Sequence, residues 1–194
     1  MKLHVQILIS ATLALAACSP PQQPTRPPLE GARIGGAFSL TDQNGRATTE
    51  RDLAGKYSIV YFGYTFCPDV CPLDVQHIGA AVKMVEKDDP ALGARLVPVF
   101  VTIDPARDTP AVLKEFVGAF HPRMIGLTGS PAQIAAIAKE YGVYYARGKG
   151  NAGGYMMDHS RAAYLMSPAG KPLALLSQEG SPRTIADEIE RWAR

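Results

Sequence analysis

Cys67 and Cys71 are separated by three residues in the run Cys67-Pro68-Asp69-Val70-Cys71-Pro72. Residues 58–63 before it are β-branched and aromatic, and read as a buried strand. After it, Val75, Ile78, Val82 and Val85 make an apolar stripe at helical spacing over residues 72–87. The pair therefore belongs where a strand gives way to a helix. Pro72 lacks an N–H and suits the first helical position. It also disfavours helical geometry in the residue before it, which puts Cys71 at about the N-cap and Cys67 on the preceding loop. There the unpaired backbone N–H groups and the positive helix end face both sulfurs. Such a setting favours thiolate, which binds metal and attacks disulfides. The spacing lets the sulfurs converge, either into a disulfide or as two corners of a metal site, and soft thiolates suit copper(I). Zinc held by two cysteines, a histidine and water is also consistent with the local residues.

A third donor must come from elsewhere, and there are four histidines. His4 falls in an apparent leader. His77 lies six residues past Cys71, roughly 240° around the helix and away from the sulfurs. His121 precedes Pro122 and reads as an exposed loop residue. His159 remains, in Tyr155-Met156-Met157-Asp158-His159-Ser160, after a loop rich in glycine (Gly148, Gly150, Gly153, Gly154). A capping or packing role is the commoner fate of a lone histidine, and sequence alone does not put His159 beside the sulfurs. Met156 and Met157 are soft enough to bind copper(I), but adjacent methionines more often fill space.

The elements that must position these residues alternate strand and helix. A hairpin is expected around Asp42-Gln43-Asn44-Gly45, where Asn-Gly favours a tight turn. Residues 96–103 form a second apolar strand, with Pro98 implying an edge or bulge. Thr109-Pro110, Ser130-Pro131 and Ser181-Pro182 each pair a capping residue with proline at the first helical position. They open helices reaching about Phe120, Tyr141 and Trp192. Residues 124–127, 143–146, 161–167 and 172–176 read as strands. The outcome is an α/β domain with a central mixed sheet and a parallel, right-handed first strand–helix–strand unit. In such sheets ligands gather beyond the carboxyl ends of the strands.

The chain has 194 residues and a net charge of +2, which becomes +1 if Lys2 leaves with a leader. No basic run follows, so composition gives no argument for nucleic acid. Residues 5–17 are an apolar stretch too short to span a bilayer. They end in Leu15-Ala16-Ala17-Cys18, which reads as an export signal. The segment resembles the lipobox of bacterial lipoproteins, with Cys18 as the lipidated residue. Assigning Cys18 to lipid leaves Cys67 and Cys71 as the one remaining pair of three cysteines. Residues 19–30 carry five prolines and few apolar side chains, as an extended tether would. The expected organisation is a signal peptide at 1–17, a lipidated cysteine and tether at 18–33, and a folded domain at 34–194.

Three blocks resemble the Sco/SenC family: residues 63–72 (GYTFCPDVCP), residues 102–110 (TIDPARDTP), and Asp158-His159-Ser160 followed by Ala163-Tyr164-Leu165. They occur in order, and the resemblance spans about residues 34–193. It implies a three-layer, thioredoxin-like fold with an N-terminal β-hairpin and a loop insertion. It also implies copper(I) or copper(II) bound by Cys67, Cys71 and His159. The implied role is a metallochaperone, not an enzyme, serving the CuA centre in subunit II of cytochrome c oxidase. Other periplasmic copper chaperones or thiol reductants are implied as further partners, with the protein a membrane-anchored monomer on the periplasmic side. Ala106 departs from the acidic residue common at its position. A fourth ligand for copper(II) is expected from water or Asp158. Asp104, Arg107 and Asp108 are expected to brace a loop. The alternative is a thiol–disulfide oxidoreductase using Cys67 and Cys71 to keep the CuA cysteines reduced. Against that, Cys-x-x-x-Cys departs from the Cys-x-x-Cys spacing of thioredoxin-type catalysts, and such a catalyst would not require His159. A peroxidase is disfavoured because no proline stands a few residues before Thr65.

Overall fold

A computed structural model describes residues 25–150, 154–178 and 180–193. The leader, Cys18 and the first part of the tether lie outside the described residues. Among the described residues, nine strands and five α-helices follow one another: β1 (Ser39–Asp42), β2 (Ala47–Thr49), β3 (Tyr57–Gly63), α1 (Val70–Asp88), α2 (Pro90–Arg95), β4 (Leu96–Thr102), α3 (Pro110–Phe120), β5 (Ile125–Thr128), α4 (Pro131–Glu140), β6 (Tyr145–Arg147), β7 (Met157–His159), β8 (Ala163–Met166), β9 (Pro172–Leu175) and α5 (Pro182–Trp192). A 3-10 turn, Glu50–Leu53, follows β2.

Seven strands form one mixed sheet in the order β2-β1-β5-β4-β3-β8-β9. β3 pairs in parallel with β4, and β4 with β5. β8 and β9 run antiparallel on one side, and the β1–β2 hairpin joins β5 antiparallel on the other. Right-handed crossovers from β3 to β4 to β5 place α1 and α3 on one face, and α5 packs beside α1. On that face Tyr61 meets Phe100, and Phe100 meets Phe116 of α3. On the other face Phe62 and Tyr164 pack on Tyr141, at the end of α4. Side-chain alternation along β3 thus feeds two cores from one strand. β3 and β4 are buried at every position, the continuous apolar pattern expected of a strand covered on both faces.

Thr109, Ser130 and Ser181 each accept a backbone N–H of the first turn of the helix they open, with proline at its start. Three expectations need correction. β4 is central, not an edge. It tolerates Pro98 because β5 begins pairing only at Val99, so no ladder partner stands on that flank at Pro98. His121 is 1% exposed, not an exposed loop residue. Its Nδ1 accepts the Arg123 N–H, and its Nε2 faces Glu86 at 3.2 Å. Helix α1 begins at Val70, two residues earlier than Pro72 implied. A proline in the first turn sacrifices no intrahelical hydrogen bond, since none of the first four N–H groups has an acceptor there.

Candidate metal centre

The carboxyl end of β3 and the amino end of α1 meet at Gly63. A Cβ placed there would lie 2.8 Å from Tyr61 and 3.2 Å from Cys71 Sγ, so only glycine lets the Cys71 sulfur settle onto the sheet. Cys71 is within the first turn of α1 and 0% exposed, and Cys67 on the preceding loop is 8% exposed. Both are free thiols. This corrects the expectation that both sulfurs lie in an exposed, activating helix end. The helix end serves Cys67, whose Sγ accepts the Cys71 N–H at 3.4 Å. Cys71 itself lies under α1, and burial pushes its thiol up to about 12. Such a thiol stays protonated until a metal ion displaces the proton.

His159 arrives from far along the sequence. Its Nε2 stands 3.3 Å from Cys71 Sγ across 88 residues of chain. The glycine-rich segment expected to carry it is in fact a two-stranded arm. In this arm β6 and β7 pair antiparallel, with Tyr145 opposite His159. Residues 151–153, between the two strands in sequence, lie outside the described residues. Burial lowers the His159 pKa, so the ring is held neutral. Its Nδ1 lies 3.0 Å from the Ser160 carbonyl oxygen. A carbonyl only accepts, so Nδ1 carries the proton and the Nε2 lone pair faces the Cys71 sulfur. That is the tautomer a metal-binding imidazole needs, fixed by its second nitrogen. The edge of the Tyr64 ring braces the imidazole at a centroid distance of 5.9 Å.

Below the sulfur lies a charge pair that sequence reasoning missed. Asp74, 0% exposed, accepts from Arg161 Nε at 3.0 Å, from Arg161 Nη2 at 2.6 Å and from the Tyr61 hydroxyl at 2.9 Å. The available signal was an acidic residue one turn after Cys71, on the apolar stripe of α1 beside Val75 and Ile78.

A second network holds the rim. Asp108 accepts from the Thr65 N–H, the Thr65 hydroxyl and the Thr102 hydroxyl. Asp104 pairs with Arg107 and accepts the Tyr155 hydroxyl at 2.8 Å. The Tyr155 ring has the guanidinium carbons of Arg107 and Arg147 each 3.7 Å from its centre. Asp104, Arg107 and Asp108 therefore tie the loop after β4 to the cysteine loop and to the arm.

The groove above these residues has a volume of about 590 Å³ and is lined by Tyr64, Cys67, Met156, Asp158 and His159, among others. Asp158 is exposed and leaves β7 on the side opposite His159, at the groove's rim. Among the described residues, no group of three or more His, Cys, Asp or Glu side chains is already drawn together around a metal position. Cys71 and His159 meet, Cys67 stands next to them, and holding an ion requires the three donors to close further.

The SCO1/SenC family pattern matches residues 26–194. The chain belongs to the SCO1/SenC family. It is 42% identical over 158 residues to Protein SenC of Rhodobacter capsulatus, covering 81% of this chain and 70% of that protein. It is 45% identical over 137 residues to the mitochondrial Protein SCO1 homolog 1 of Arabidopsis thaliana, covering 71% of this chain but only 40% of that longer protein. Among solved structures, Arabidopsis thaliana ScoI with copper bound matches with a TM-score of 0.76 and 39% identity, covering 80% of this chain and 95% of that one. Bradyrhizobium japonicum ScoI with copper bound matches with a TM-score of 0.74 and 38% identity, covering 82% and 99%. The expected thioredoxin-like α/β architecture is thus the fold of this SCO1/SenC chain.

Proposed function

We propose that this chain binds one copper ion through Cys67 Sγ, Cys71 Sγ and His159 Nε2, and delivers it during assembly of the CuA centre of cytochrome c oxidase. The observation that carries the reading is the approach of His159 Nε2 to Cys71 Sγ at 3.3 Å, with the nitrogen lone pair directed at the sulfur. Two relatives solved with copper bound share the fold at 38–39% identity, which supports copper as the cargo. Two thiolates and an imidazole satisfy copper(I). Because His159 rides on a two-stranded arm, the site can open for ligand exchange with a partner. CuA in the oxidase's subunit II is the destination implied by the family. Anchoring on the extracytoplasmic side through lipid on Cys18, with residues 18–33 as tether and 34–194 as folded domain, belongs to the same proposal. No helix among the described residues is long and apolar enough to cross a membrane.

Anaerobic copper(I) titration of the purified chain, followed by mixing with a copper-free CuA domain, tests the reading. One equivalent should bind with sulfur coordination and move to the acceptor stoichiometrically. His159→Ala should lose tight binding while Cys67 and Cys71 still close a reducible disulfide. Equal affinity in variant and parent removes His159 from the ligand set. Catalytic reduction of CuA-domain disulfides without copper would instead favour the oxidoreductase.

A further inference from the structure

Met156 is 48% exposed and lines the groove. It does not pack in the core, whereas the neighbouring Met157 does. Its Sδ accepts the Tyr64 hydroxyl at 3.9 Å. Tyr64 therefore fixes a thioether beside the groove that the outer of the two cysteines also lines. Met156, Tyr64, Cys67 and His159 line that single groove. Cys71 lies deeper and is fully buried.

We propose that Met156 is a transient copper(I) ligand, the first to take the ion on entry and the last to release it. The proposal rests on Cys67, Cys71 and His159 being the resident set. A thioether is a neutral, soft donor that suits copper(I). On entry, a bond from copper(I) to a ligand atom of its carrier breaks as the bond to Met156 Sδ forms, and the metal keeps its oxidation state. Cys67 and then Cys71 bind as thiolates, and their protons pass to solvent. The His159 Nε2 lone pair completes the site, and the bond to Met156 breaks. Tyr64 holds the thioether beside the groove before the ion arrives.

The test uses the whole chain and copper(I) supplied as its bis-bicinchoninate complex. Met156→Leu keeps the volume and removes the sulfur. It should slow copper uptake roughly tenfold while leaving the equilibrium affinity within about threefold. To trap the intermediate, His159→Ala is prepared with selenomethionine, and X-ray absorption is used to look for a copper–selenium distance. That distance should be present in His159→Ala and absent in His159→Ala/Met156→Leu. Unchanged uptake in Met156→Leu, or no copper–selenium contact in His159→Ala, overturns the role of Met156 while the resident site stands. Absence of any sulfur around copper in the parent chain overturns the resident site itself.

Discussion

At the scale of single residues, the chemistry depends on how charge is arranged under the sulfur. Asp74 is a fully buried carboxylate whose two oxygens are taken up by Arg161 and Tyr61. A buried pair contributes little net stability, but breaking it strands a charge. Arg161→Met should therefore lower unfolding stability by about 2–3 kcal/mol, less than for a fully enclosed pair because the arginine is one-third exposed. Asp74→Asn in the Arg161→Met background should recover much of that loss, since a neutral amide still accepts the Tyr61 hydroxyl. Urea midpoints of parent, single and double variants check this. A double variant no more stable than Arg161→Met would show that the stranded charge is not the cause. The cysteines were legible from their types, spacing and place between strand and helix. Asp74 was not, because pattern reading treats an acidic residue on a helix as solvated. The burial of Cys71 was hidden too, since it depends on Gly63 leaving room at the end of the preceding strand.

At the scale of elements, the arm carrying His159 has only three residues in each strand, and two-stranded ribbons are marginal by themselves. What fixes it is Tyr155, placed between Arg107 and Arg147 with its hydroxyl on Asp104. Cation–π contacts of this kind contribute about 0.5–2 kcal/mol each. Tyr155→Ala should release the arm. Amide exchange should accelerate across residues 144–148 and 155–160, and copper should dissociate roughly tenfold faster. Tyr155→Phe, which keeps the ring and loses only the hydroxyl, should lie between parent and Tyr155→Ala. Unchanged exchange in Tyr155→Ala would mean the arm is ordered by its own ladder. The capped helices could be read from Ser/Thr-Pro pairs because the capping chemistry is local. The arm could not, because three-residue strands carry too little pattern to register and their latch, Asp104, stands 51 residues before Tyr155.

At the scale of the whole molecule, the α/β order of layers follows from strand and helix alternation, and the sheet's outer limit decides where the folded unit starts. β9 is the last strand of the sheet, and an uncovered outer strand invites pairing with other chains. The Leu29 N–H donates to the Leu173 carbonyl at 2.9 Å, and the Gly35 N–H donates to Glu140 at the same distance. Leu29 and Ile34 pack against the core from outside. The polypeptide thus docks along β9 five residues before Ile34, within the stretch whose prolines suggest a free tether. Composition hides this, because one leucine and one backbone hydrogen bond leave no periodic trace. A chain begun at Ile34 should be less stable than one begun at Thr25 by about 1–2 kcal/mol, from one lost hydrogen bond and a partly re-exposed leucine. It should also aggregate sooner on heating, with β9 bared. Paired urea melts and light scattering would show both effects. Coincident melts would place the fold's true start at Ile34 and make the Leu29 contact incidental. If the difference appears, residues 29–33 belong to the folded unit, which then begins before Ile34.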